Sequence, residues 1–187
     1  MGLAITPNQS VYIFDFPDAV SPRGLGFVKI DSSPLYLYPI DGNNNLFLGL
    51  GNNTDATGNS TGGLEVYLYN FTNRLQPYLI TSYTDSTENI VWNDLAINYQ
   101  NLGQDMGHLI IPVISMSLNG TSSGGFSIFA VNSTSIEKVL GTASQEAANS
   151  CHSCANIADG SFVVGGNIIT LTGGSARSYH LGSGKVF

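Results

Sequence analysis

Charge is what this 187-residue sequence has least of. Charged residues make up 10% of it, against about a quarter in an average soluble domain. Six Lys and Arg stand against 13 Asp and Glu, for a formal net charge of −7. So few cations assemble no basic patch, which excludes a surface built for nucleic acid. Long hydrophobic runs are also missing. No stretch of about 20 apolar residues exists, so no membrane-spanning helix is expected. The start, MGLAITPNQS, lacks the basic residues and long apolar core of a signal peptide. If secreted, the chain is expected to be a mature or cut form, and both ends read as trimmed. Helix signals are poor throughout. The best is TASQEAANS, Thr142 to Ser150, which has room for two turns.

What is present is repetition. VYIFDF at Val11 to Phe16 returns as VYLYNF at Val66 to Phe71 and as FSIFAV at Phe126 to Val131. Aligned on Phe14, Tyr69 and Phe129, the copies are 69 − 14 = 55 and 129 − 69 = 60 residues apart. Within a copy, alternate residues face opposite ways: Val11 and Ile13 on one side, Tyr12, Phe14 and Phe16 on the other. β-Branched and aromatic residues favour strands. A strand apolar on both faces is expected to be covered on both, as in stacked sheets.

The surroundings of the copies correspond too. Pro22 and Pro77 each precede a second short strand. Later strands follow at Leu46 to Gly51 and Leu109 to Ser115, each leading through a Gly/Ser/Thr/Asn loop to the next copy. In the last third the expected strands are FSIFAVN, SIEKVL, SFVVGG and NIITLT. The spacing predicts an all-β fold: antiparallel sheets in a repeat of about 55–60 residues, like propeller blades. A β-sandwich from a surface-assembly subunit is the alternative. Residues 1–187 read as one propeller-like region, expected to be part of a larger propeller. Its units are 10–63, 64–124 and 125–172, with a partial unit at 175–187. Three sheets of four strands are expected, each begun or ended by a repeat strand. The last copy, Ser178 to Leu181, reads as a single strand without a hairpin of its own. Its partner is expected from elsewhere, unless the first strand, Val11 to Phe16, joins the last sheet and closes a ring.

The succession YLYPIDGNNNLFLGLG, GGLEVYLYNFTNRLQPYLITSY, NDLAI, GHLIIPV and GGFSIFAV resembles secreted proteins with a C-terminal β-propeller distantly related to WD repeats. The resemblance is collinear over nearly the whole chain. It implies a propeller and an extracellular location, and it implies no catalytic residues. Three to four blades are few for a closed propeller.

Candidate chemistry is sparse. Cys151 and Cys154, in the order Cys-His-Ser-Cys, read as a local disulfide closing a loop. Free or intermolecular thiols and a metal site shared with His152 are the alternatives. N-x-S/T sequons stand at Asn8, Asn52, Asn59, Asn70, Asn119 and Asn132, and are glycosylation candidates where exposed. Asp41, Asn43 and Asn45 imitate the start of a calcium loop. The sixth position is Leu46 and the twelfth Asn52, so a solvated hairpin turn is expected instead. G-x-S-x-G occurs around Ser60 and Ser122, but both matches read as connectors between strands, where a nucleophile elbow needs a helix. The segment NIVWNDLAI reads as a strand with Trp92 inward, as a core aromatic or a sugar-stacking platform.

No catalytic residue, cofactor site or metal site is assigned. The polarity comes from Asn, Ser, Thr, Gly and Tyr, which suits an exposed extracellular surface. The expected function is a non-enzymatic extracellular scaffold or binding module at the cell surface. The alternative is a structural subunit of a filament, coat or viral surface assembly. Its partner is expected to be another protein segment or chain completing the β-structure, or further copies of itself, with glycans possible.

Overall fold

The computed structural model describes residues 2–6, 10–15, 20–29, 36–43, 45–54, 60–91, 96–103, 106–116, 122–143, 158–172 and 175–180. Regular structure among them is β-strand throughout. Two compact units divide the chain: Met1–Asp85 with Ser133–Ile136, and Ser86–Asn132 with Glu137–Phe187.

The first unit holds two sheets. β1 (Gly2–Thr6), β2 (Ser10–Asp15) and β3 (Arg23–Lys29) form a three-stranded meander. β4 (Tyr36–Pro39), β5 (Leu46–Thr54), β6 (Ser60–Asn70) and β7 (Tyr78–Asp85) form a four-stranded one. As expected, Pro22 and Pro77 immediately precede β3 and β7. Proline has no N–H for a ladder, so it suits the turn leading in.

The second unit holds the other two sheets. β8 (Glu88–Ile90), β9 (Asn98–Gly103), β10 (Met106–Met116), β11 (Ser122–Val131) and β12 (Ile136–Ala143) form a five-stranded sheet. β13 (Ala158–Val164), β14 (Asn167–Thr172) and β15 (Ser175–His180) form the last. Gly165 and Gly166, with φ of 57° and 79°, make the two-residue turn between β13 and β14. Two consecutive positive φ values define the hairpin turn whose twist matches the strands, and glycine adopts them without a Cβ clash.

All pairing is antiparallel, and the repeat strands occupy equivalent places. Phe14 stands opposite Gly2, Tyr69 opposite Phe47, and Phe129 opposite Leu109, each on the strand just before the repeat strand. The ladder to the following strand slips between Ile13 and Phe14 in the first copy. It slips between Leu68 and Tyr69 in the second, the same position of the repeat.

The number and edges of the sheets differ from the sequence expectation. Among the described residues there are four sheets, of three, four, five and three strands. β2, β6 and β11 are interior strands, not the first or last of their sheets. The most apolar strand takes the place where both of its edges are paired, while the more exposed β7 and β12 take an edge. The final copy does have a hairpin partner: β15 pairs with β14 along its whole length. β2 pairs with β1 and β3, so it does not join the last sheet. A segment counted from one repeat strand to the next spans the end of one sheet and the start of another. Thr142 and Ala143 end β12 as strand, and the rest of the helical candidate lies outside the described residues.

The segment NIVWNDLAI is not one strand. β8 and β9 both pair with β10, on the same side, at successive stretches. From Ile90 to Asn98 the chain advances eight residues while the partner positions, Val113 to Ile110, advance three. That excursion of five extra residues lengthens the repeat. From Phe14 to Phe47 is 33 residues, and from Tyr69 to Leu109 is 40, so it supplies five of the seven additional ones. Trp92, Asn93 and Asp94 lie within it and outside the described residues.

Each unit has a core between its sheets. In the first, Val11 and Ile13 of β2 pack with Phe47, Tyr67, Tyr69 and Phe71, with Leu3, Leu25 and Leu37 at the margin. Phe71 meets Phe47 and Tyr69 edge-on, at ring-centroid distances of 5.1 and 6.3 Å. In the second, Ile110, Phe126 and Ile128 pack with Ile168 and Tyr179. Phe126 and Ile128 are the repeat equivalents of Val11 and Ile13. In both units the face holding these positions covers the next sheet: Val11 and Ile13 lie on Tyr67 and Tyr69, and Phe126 and Ile128 lie on Ile168 and Tyr179.

Candidate functional site

Among the described residues, those singled out in the sequence do not converge. Cys151, Cys154, His152, Asn8, Asn59 and Asn119 lie outside the described residues. Asn52 is on β5 opposite Leu64, with its Oδ1 buried and without a hydrogen-bond partner. Asn70 ends β6, and its Oδ1 accepts a hydrogen bond from the Thr72 amide at 2.7 Å, an Asx turn at the mouth of an exposed loop. Asn132 directly follows β11. Ser60 and Ser122 are the first residues of β6 and β11, so each G-x-S-x-G leads into a strand.

Asp41 is a turn residue, as expected. Its Oδ1 accepts from the Asn45 amide at 2.8 Å and the Leu46 amide at 3.0 Å. The Ile40 amide closes the same hairpin onto the Leu46 carbonyl at 3.0 Å. Two amides of the β4–β5 turn thus take the carboxylate oxygen that a calcium loop would present to its ion.

Sequence reasoning missed two polar clusters in the second unit. Glu88, buried on β8, accepts a hydrogen bond from Ser127 Oγ at 2.5 Å and pairs with Lys138 Nζ at 2.8 Å. Ser127 is fully buried, and its hydroxyl is given to the carboxylate. The cluster ties β8, β11 and β12 together. Its members are 39 and 11 residues apart in sequence, with no motif to announce them.

The second cluster is a cross-strand pair. His108 on β10 stands directly opposite Gln100 on β9. Buried His108 Nδ1 and Gln100 Oε1 each lack a hydrogen-bond partner. Burial lowers the His108 pKa below the ordinary histidine value, so the ring is held neutral near pH 7. In the first unit burial raises the Glu65 pKa, although the Tyr67 hydroxyl donates to its Oε2. That bond favours the charged form, and desolvation outweighs it.

Among the described residues, each unit leaves one apolar sheet face uncovered by its own sheets. On the first sheet Tyr12 and Phe27 are opposed and in ring contact at 5.5 Å, and are 41% and 64% exposed. Phe14 lies on the same face by strand alternation. On the last sheet the face away from Ile168 and Tyr179 carries Phe162, Val164, Ile169 and Leu171. Phe162 and Val164 are 40% and 57% exposed.

Four meanders of one repeat, with successive sheets stacked face to face in each unit, define a propeller-type β-protein. The profile of the family described as Beta propeller domain matches residues 10–183, and the chain belongs to that family. No curated protein matches the chain.

Proposed function

We propose that this chain is a non-enzymatic extracellular scaffold or binding module at the cell surface, with β-structure from another segment or chain as its partner. The observation that carries the reading is how the described polar groups are used. The Asp41 carboxylate serves a turn, and the Glu88 carboxylate holds three strands together. Both are engaged in holding the fold, while each unit leaves one apolar sheet face uncovered by its own sheets. A propeller-family repeat supports a surface for binding or scaffolding. Scarce charge, abundant Asn, Ser and Thr, and the Asn70 sequon at an exposed turn support an extracellular setting.

The test is protease shaving of intact cells that produce the protein. Arg74 sits in the exposed turn between β6 and β7. Trypsin is expected to release peptides ending at Arg74 without lysis. Peptides appearing only after lysis would exclude the surface location.

A further inference from the structure

We propose that Asn70 is an N-glycosylation acceptor and that Asn52, a sequon of the same sheet, is not. The sequence offers the two as equals, Asn52-Asn53-Thr54 and Asn70-Phe71-Thr72, and their conformations separate them. The proposal rests on the extracellular reading. The donor it needs, an oligosaccharide joined through phosphate to a lipid, acts on chains that have left the cytoplasm.

At Asn70 the chain leaves β6 and folds back on itself. The Thr72 amide donates to Asn70 Oδ1 at 2.7 Å, which brings the third residue of the sequon onto the carboxamide of the first. Phe71 between them is fully buried, and its amide donates to the Asn45 carbonyl at 2.6 Å. That anchor fixes the turn against the core of its own sheet, while Thr72 to Gln76 are exposed. The next turn is built in the same way. Asn73 Oδ1 accepts from the Leu75 amide at 3.2 Å, and the Asn73 carbonyl accepts from the Gln76 amide at 3.0 Å. Among the described residues no hydrogen bond engages Asn70 Nδ2, the atom that would take the sugar.

The turn suits the chemistry. An amide nitrogen is a weak nucleophile, since its lone pair is shared with the carbonyl. Transfer forms a bond from Nδ2 to the anomeric carbon of the sugar and breaks the bond from that carbon to the phosphate oxygen. The lipid phosphate leaves with the bonding electrons, and one Nδ2 proton passes to a base of the transferase. Negative charge gathers on Oδ1 as that proton leaves, and the Thr72 amide already aims a donor at it.

Asn52 is held differently. It stands in β5 opposite Leu64, and Asn53 and Thr54 continue the strand. An extended chain sets residues two apart about 6.5 Å from each other, so this sequon is not folded onto itself. Asn52 Oδ1 is buried. A sugar on this amide would displace the packing around it, whether added before or after folding.

The experiment is peptide mass spectrometry of the full chain purified from the cells that produce it. After denaturation, trypsin yields the peptide of residues 30–74, which holds Asn52, Asn59 and Asn70. Electron-transfer fragmentation then assigns any added mass to one residue. A sugar mass is expected on Asn70 and none on Asn52. Thr72→Ser keeps a sequon hydroxyl and should retain that mass. Thr72→Ala should abolish it while leaving the backbone donor of the turn in place. If Thr72→Ala fails to fold, Asn70→Gln gives the same loss. A bare Asn70 or a sugar on Asn52 would overturn the proposal, as would a sugar on Asn70 that survives Thr72→Ala. Release of peptides ending at Arg74 from intact cells is measured separately. A bare Asn70 on a chain so released overturns the glycan and leaves the surface reading standing, and a glycosylated Asn70 on a chain that trypsin does not reach does the reverse.

Discussion

At the scale of single residues, two positions show how much depends on one atom. Asp41 Oδ1 takes two amides that the β4–β5 turn otherwise leaves to water. Asp41→Ala is expected to cost about 1–2 kcal/mol, the range for losing a capping side chain, read as a lower urea midpoint with unchanged slope. Gly107 is buried on β10, where a Cβ would collide with the Tyr99 ring and the Gln100 carbonyl. Gly107→Ala is expected to destabilise by about 1–3 kcal/mol, the range for overpacking a tight site. Glu65 and His108 supply a pH signature. A carboxyl raised by burial contributes stability that is full below its ordinary pKa and lost as pH rises through the raised value. A histidine lowered by burial contributes stability that is full above the ordinary histidine value and lost as pH falls through the lowered one. Glu65→Gln should flatten the loss of stability from acid toward neutral pH. His108→Gln should flatten the loss on acidification below neutral. Urea unfolding at a series of pH values measures both.

At the scale of elements, the repeat makes a quantitative claim. Ile13 and Ile128 hold equivalent positions, and each is at most 1% exposed between two sheets of its own unit. Ile13→Ala and Ile128→Ala are each expected to cost about 2–5 kcal/mol, the range for removing a buried isoleucine side chain. Similar costs at the two sites would mark equivalent packing. Hydrogen exchange, read strand by strand, assigns each loss to its own unit. The Glu88 cluster makes a different prediction. Lys138→Met leaves a buried carboxylate with Ser127 alone, at an expected cost of about 2–4 kcal/mol, below the figure for a fully buried pair because Lys138 keeps some solvent contact. Adding Glu88→Gln should recover part of that loss. A double variant less stable than Lys138→Met would show that the ion pair is not what joins these strands.

At the scale of the whole molecule, the low charge governs how solvent acts on it. With 10% charged residues, few side chains are available to form surface ion pairs that salt could screen. The thermal midpoint is therefore expected to move little between low and high NaCl. Ammonium sulfate is expected to raise the midpoint, because excluded salts strengthen apolar burial.

The repeat of apolar strands was legible in the sequence because strand alternation is a local property. VYIFDF and VYLYNF carry two apolar faces wherever they are placed, and Pro22 and Pro77 mark turns through their own missing N–H groups. The hairpin at Asp41 was legible for the same reason, because its bonds join residues four and five apart. Which strands share a sheet was not local. The interior place of β2, β6 and β11, the partner of β15, and the break between β8 and β9 depend on pairing at a distance. A strand apolar on both faces shows that it will be covered and is silent on which neighbour covers it. The Glu88–Ser127–Lys138 cluster and the His108–Gln100 pair were invisible for the same physical reason. Their members are ordinary residues alone, and only the registers of β8 to β12 bring them together. Tyr12 and Tyr67 state the division most plainly. Their local sequences are nearly the same, and only the sheet stacked on Tyr67 makes one buried and the other open.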